Sequence, residues 1–246
     1  MAQLELQDVS KHFGGVAAND NISLRVDRGE IVGVIGPNGS GKTTLFNSIV
    51  GHHPIDSGIV RFEDQDITGL GVQEVARRGI LRTFQQTRTF RAMTCLENVR
   101  ISLPAEHMRL RDLAWPLPHQ NEVRAREMLA LVGLEAQADG VAGAMSFGQQ
   151  RLLELAMVLM SEPKLLLLDE PTAGINPSAI KTVIERLRAV SRMFGISLVV
   201  IEHNMPVIME LADRIYCLTR GQVLAEGRPE QIQADQRVLD AYLGTR

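Results

Sequence analysis

Leu4 and Leu6, then Ile22, Leu24 and Val26, alternate with polar residues, the two-residue period of strands with one face buried. The pattern returns in "GIVRFEDQDI", so residues 4–26 and 59–67 are predicted to share an antiparallel sheet. Three other runs, "GEIVGVIG", "KLLLLDE" and "SLVVIEH", are short and aliphatic throughout. Strands buried on both faces of a parallel sheet read this way, with function at their carboxyl ends. Between these runs the period becomes helical. Leu45, Phe46, Ile49 and Val50 form a stripe that Gly51 stops, and "NEVRAREMLALVGL" has amphipathic spacing ending at a Gly. Thr94-Cys95-Leu96-Glu97 and Ser146-Phe147-Gly148-Gln149 both fit capping boxes, and "RLLELAMVLM" follows the second at once. "AWPLPHQ" is a turn-rich break, and "RIYCLTRGQVLAEG" predicts a hairpin around Arg220-Gly221 before a closing helix. The pattern is that of one α/β domain, with 1–86 and 161–246 carrying the strands and 87–160 inserted as a helical subdomain.

Composition adds limits. The 246 residues are 45% hydrophobic and 22% charged, an ordinary soluble composition with room for one large domain or two small ones. A net charge of -3 argues against nucleic-acid binding through bulk charge. Cys95 and Cys217 form no metal-ligand spacing and are expected to be reduced packing residues. No apolar run reaches the ~18–20 residues of a membrane span, and "MAQLELQDVSKHF" lacks a signal-peptide core. The chain is not expected to enter a membrane by itself, though it can work against one.

The chemistry gathers at the ends of the aliphatic runs. Gly36-Pro37-Asn38-Gly39-Ser40-Gly41-Lys42-Thr43 fits the phosphate-loop pattern, with a strand before it and a helix after it. Its glycines let successive backbone N–H groups turn inward as an anion nest. Lys42 adds a point charge for the β- and γ-phosphates, and Thr43 offers a hydroxyl to Mg²⁺. This predicts a nucleoside triphosphate but does not separate kinase, GTPase and motor. Asp169 and Glu170 end the second run, where Asp169 can hold Mg²⁺ and Glu170 can orient or deprotonate an attacking water. The alternative is a cap for the helix after Pro171. His203 ends the third run, a candidate contact for the γ-phosphate. In "MSFGQQ", Gly148 weakens the first helical turn for no local reason. It would let an anion approach a helix N-terminus closely.

These pieces, in this order, resemble the ATP-binding cassette (ABC) ATPases over essentially the whole chain. The resemblance implies an α/β fold: a P-loop NTPase core of the ABC ATPase type, an antiparallel β subdomain and an inserted α-helical subdomain. It assigns the phosphate loop to residues 36–44, ending at Thr44, and the glutamine loop to "TFQQ" with Gln85, a ligand of Mg²⁺ or of the attacking water. The signature is "MSFGQQ", the Mg²⁺/base pair Asp169-Glu170, the D-loop "AGIN" and the switch histidine His203. In that family the signature of one subunit faces the phosphate loop of another. Ser146, Gly148 and Gln149 are therefore expected to meet the γ-phosphate of ATP held by a partner. Two positions depart from the usual pattern: Phe147 stands where Gly is commonest, and Phe13 takes the adenine-stacking place often held by Tyr. For Phe13 a core role is the alternative.

Narrower features, "KHFGGVAAND", "RTFQQTRTF", "SFGQQRLLELA", "DEPTAGINP", "IEHNM" and "AYLG", look like the LivG-type ATPases of branched-chain or hydrophobic amino-acid importers. That resemblance implies ATP and Mg²⁺ as cofactors and a second ATPase as partner, a LivF-type chain or a second copy. It also implies two permease subunits and, indirectly, a periplasmic binding protein, with no nucleic acid. The implied place is peripheral, on the cytoplasmic face of a bacterial or archaeal inner membrane. ATPases of urea/amide importers and of lipopolysaccharide exporters have similar architecture. The exporter type typically has Pro before its loop glutamine and Gly at the position of Phe147. Non-transport cassettes usually carry paired cassettes, coiled coils or zinc modules, which this sequence does not contain.

Overall fold

The structure, a computed structural model, describes residues 2–83, 89–103 and 119–243. The chain packs as two units: Met1–Arg82, Lys164–Pro171 and Ser191–Arg246 form the first, and Thr83–Pro163 with Thr172–Val190 forms the second.

In the first unit, β1 (Ala2–Phe13), β2 (Val16–Asp27), β4 (Ser57–Phe62) and β5 (Gln65–Asp66) make an antiparallel sheet in the order β2-β1-β4-β5. Its register sets Leu4 opposite Val26 and Phe62, and Leu6 opposite Leu24 and Val60. All six side chains are at most 3% exposed. Burying each contributes roughly 1.5–3 kcal/mol. A one-residue slip would turn a whole strand's set to solvent, so the alternation specifies the pairing.

The second sheet runs β10-β9-β3-β8-β7-β6. Its members are β3 (Ile31–Ile35), β6 (Ile80–Arg82), β7 (Leu165–Asp169), β8 (Ser197–Ile201), β9 (Arg214–Thr219) and β10 (Gln222–Gly227). β3 lies parallel between β8 and β9, and β7 parallel between β8 and β6. Every residue of β3, β7 and β8 is buried, the physical reason those runs are aliphatic without alternation. Gly33 lets α7 (Met205–Leu211) lie against β3, since a Cβ there would stand 2.7 Å from Ile208 Cγ1. α1 (Lys42–Ile49) follows β3 and buries Leu45, Phe46 and Ile49. The β9–β10 hairpin turns at Arg220 and Gly221, both left-handed (φ 50° and 80°), as a two-residue hairpin loop with the matching twist requires. α2 (Val72–Arg77) precedes β6, and α8 (Pro229–Ala234) and α9 (Gln236–Leu243) follow β10.

The second unit contains α3 (Cys95–Arg100), α4 (His119–Leu131) and α5 (Phe147–Leu159), with all but the last turn of α6 (Pro177–Phe194). Thr94 caps α3 through the expected box: Glu97 N donates to Thr94 Oγ1 (3.1 Å), and Thr94 N donates to Glu97 Oε2 (2.8 Å). Asn98 is fully buried and holds both backbone groups of Phe90, accepting from its N–H at 2.6 Å and donating to its carbonyl at 3.0 Å. The stretch it holds is also paired with the one before α5, through Ala142 N to Met93 O and Gly143 N to Arg91 O, both 2.9 Å.

Candidate nucleotide site

β3 ends at Ile35 and the chain turns through three left-handed glycines, Gly36, Gly39 and Gly41 (φ 147°, 78° and 100°), before α1 begins at Lys42. A Cβ on Gly36 would stand 2.2 Å from the Leu218 carbonyl, and one on Gly41 2.2 Å from the Ala18 carbonyl, so only glycine fits. The loop is held from outside as well. Asn19 Nδ2 donates to Gly41 O (3.1 Å), Gly221 N to Ser40 O (3.2 Å) and Gly36 N to Tyr242 Oη (2.7 Å). Lys42 Nζ rests on the loop's own carbonyls, donating to Gly36 O at 2.7 Å and Pro37 O at 3.0 Å. Burial pulls its ammonium below the ordinary lysine range, and the charges of Glu170 and Asp169 oppose that. The two acids are thus within electrostatic reach of the lysine. Asn38 and Gly39 at the loop tip and Thr43 on the first helical turn are exposed, while Pro37 and Thr44 are half-buried and Ser40 is buried.

At the end of β7, Asp169 is 1% exposed. Its Oδ2 accepts from Arg82 Nη2 at 2.6 Å, and its Oδ1 has no partner among the described residues. A buried carboxylate oxygen without a donor is costly, and a divalent cation would remove that cost. That orphaned oxygen fits a hard divalent cation such as Mg²⁺, which Asp169 would help to hold. α6 begins only at Pro177, so Asp169 is not its cap. Arg82 was not singled out in the sequence. Its guanidinium also donates to Asn47 Oδ1 (2.5 Å) and lies 5.6 Å from the centroid of Phe46. It opens the "RTFQQTRTF" stretch and ends "ILR", a run too short to carry a period, and neither gives it a role.

Glu170 has φ 51°, and its N–H donates to Ile201 O at 2.9 Å. Its Oε1 lies 3.2 Å from His203 Nδ1, so the acid ending one run and the imidazole ending another form one constellation. Phe13, at the end of β1, is 47% exposed and is not a core residue. Its ring meets His53 edge-on at 5.6 Å, with Lys11 Nζ 5.4 Å from its centroid, leaving ring surface open for stacking.

In the second unit Ser146 caps α5 as the sequence predicts: Gln149 N donates to Ser146 Oγ (3.3 Å) and Ser146 N to Gln149 Oε1 (3.0 Å). A Cβ on Gly148 would meet Ile175 and Ala179 at ordinary contact distances of 3.4 and 3.7 Å. Packing in this unit thus gives no strong reason for glycine there. Phe147 is half-exposed beside Gly174 of "AGIN". Gln85 lies outside the described residues.

The chain is similar to known proteins over essentially its whole length. The sequence profile of the ABC transporter family matches residues 19–173, and that of the branched-chain amino acid ATP-binding cassette transporter matches residues 222–246. The high-affinity branched-chain amino acid transport ATP-binding protein LivG of Escherichia coli (strain K12) is 39% identical, over 98% of this chain and 97% of that protein. A nucleotide-free ATP-binding cassette from an ABC transporter superposes with a TM-score of 0.88 at 33% identity, covering 100% of both chains. A dimeric cassette in a post-hydrolysis state, bound to ADP and phosphate, gives 0.76 at 28% identity, over 92% of this chain and 98% of that one. The chain belongs to the ABC transporter family and is one of its ATP-hydrolysing cassettes.

Proposed function

We propose that this cassette energises the import of branched-chain or other hydrophobic amino acids. The observation that carries the substrate class is the match of residues 222–246 to the branched-chain amino acid cassette profile, alongside the full-length likeness to LivG. Cassettes of this family work as dimers with membrane permeases. Here the partners are a LivF-type cassette or a second copy, two permease subunits and, beyond them, a periplasmic binding protein. Among the described residues no helix is long and apolar enough to cross a membrane, in keeping with a peripheral subunit. Its place is the cytoplasmic face of a bacterial or archaeal membrane.

Residues 36–44 cradle the phosphates, Lys42 sharing its charge with them from its place on the loop carbonyls, and Phe13 stacks on the base. Thr43, Asp169 and Gln85 hold Mg²⁺, which when bound draws charge from the phosphate oxygens. Glu170 takes the proton of the attacking water, and His203, 3.2 Å away, orients that carboxylate and contacts the γ-phosphate. Ser146, Gly148 and Gln149 complete the site of a partner cassette. The helical insertion near residues 85–103 carries the motion to the permease, with Gln85 at its hinge.

The test is uptake in a strain lacking the gene. Loss of branched-chain amino-acid uptake, restored by the wild-type chain but not by Glu170→Gln, is the expected result. Unchanged amino-acid uptake with loss of urea or amide uptake would reassign the substrate.

A further inference from the structure

Tyr242, in "AYLG" near the end of the chain, holds the phosphate loop from outside, and that contact has a consequence for Lys42. β3 leaves the sheet at Ile35, which pairs with Cys217 of β9. Gly36 comes next, buried, and a Cβ added to it would stand 2.2 Å from the Leu218 carbonyl. The N–H of a buried residue needs an acceptor, and this one lies beyond the end of the β3 ladder. The acceptor is the phenol of Tyr242, 206 positions along the chain and 2.7 Å away. The carbonyl of the same glycine accepts from Lys42 Nζ, also at 2.7 Å. Gly36 therefore joins the last helix to the lysine of the phosphate loop.

We propose that Tyr242 is a positioning residue for the phosphate loop: its hydroxyl holds the Gly36 N–H and, through Gly36, sets the resting place of Lys42. The proposal rests on the reading of residues 36–44 as the nucleotide site. A glycine has more backbone freedom than any other residue, so Gly36 turns unless the peptides on both of its sides are held. The Leu218 carbonyl blocks one approach but supplies no hydrogen bond to the N–H; the phenol supplies it. Its own surroundings suit the task. Burial pushes the Tyr242 hydroxyl up to about 12, so it stays neutral through the physiological range. The helix that brings it is seated by Val238, 1% exposed, and begins beside the Asp235–Arg237 ion pair (2.6 Å). Without the phenol, the Gly36 N–H would be left buried without its acceptor, and the peptide would turn to find another. Each such turn shifts the carbonyl on which Lys42 rests.

The experiment compares Tyr242→Phe, Val238→Ala and Lys42→Ala in the full chain, reading affinity for a fluorescent ATP analogue and the thermal midpoint of each. Tyr242→Phe keeps the ring and removes only the hydroxyl. It is expected to weaken nucleotide binding about fivefold to tenfold, as loss of one hydrogen bond of ordinary net strength would. Val238→Ala loosens the same helix without touching Gly36, and should lower the midpoint while leaving affinity within about twofold of wild type. Lys42→Ala should bind poorly in any case. Wild-type affinity in Tyr242→Phe, with binding lost in Lys42→Ala, would overturn the role given to the hydroxyl. Equal loss of affinity in Tyr242→Phe and Val238→Ala would assign the effect to helix docking and overturn it too. Wild-type affinity in Lys42→Ala would instead remove the nucleotide reading on which the proposal stands.

Discussion

At position 170 a glutamate occupies backbone suited to glycine, with φ 51°. The left-handed region costs a side chain roughly 1–2 kcal/mol and glycine almost nothing. Glu170→Gly should therefore be more stable than Glu170→Ala by about 1 kcal/mol, a rise of roughly 2–4 °C in midpoint for a chain of this size. Calorimetry on the two variants decides it, and an Ala variant as stable as Gly would mean the backbone relaxes. Glu170→Gln keeps both backbone and shape. It should bind ATP normally and lose about 10²–10⁴ in turnover, the share typical of a positioned base; near-normal turnover would move the role to His203. Arg82 poses the converse test. It is the hydrogen-bonded counter-charge of Asp169, whose side chain is 1% exposed. Removing one partner of such a pair typically costs about 3–5 kcal/mol. Arg82→Met should show that loss in chemical unfolding, and an unchanged midpoint would mean Asp169 is satisfied some other way. These residues also show where sequence reading reached. Lys42, Asp169 and Glu170 were legible because local spacing at a strand end identifies them. Arg82, Asn19 and Tyr242 reach the same place from other strands and helices, and nothing beside them in sequence says so.

Among the elements, legibility followed length and period. β3, β7 and β8 were readable as continuous aliphatic runs, and α3 and α5 by their capping boxes. β6 has three residues and α2 six, too few for a period to emerge, and both are held by their neighbours in the first unit. The start of α5 was legible as a cap, but a cap does not account for Gly148. A cap alone predicts that Ser146→Arg costs about 1 kcal/mol and no more. A partner-facing role predicts a folded chain that binds ATP at its own loop yet fails to support hydrolysis opposite. Mixing Ser146→Arg with a partner cassette mutated in its phosphate loop puts both lesions in one composite site and leaves the other whole. Mixing it with a partner mutated in its signature damages both. Residual turnover should survive only in the first mixture; equal turnover in the two, with assembly intact, would leave α5 with a cap and nothing more.

At the scale of the molecule, the first unit is drawn from three separate stretches of chain. Its antiparallel sheet is complete by Asp66, whereas β3 waits for β8 at Ser197–Ile201 and β9 at Arg214–Thr219. Pairing across such separations is slow and leaves apolar strands uncovered meanwhile. During synthesis the phosphate loop thus leaves the ribosome long before the strands that flank β3 exist. Ribosome-bound chains stopped at residue 196 should resist protease across 2–66 less well at 31–49 than elsewhere, and should bind no nucleotide. Protection of 31–49 at that length would contradict this order. The arrangement ties the ability to hold ATP to the last stretch of translation, so a prematurely ended chain reaches the cell without a nucleotide site of its own.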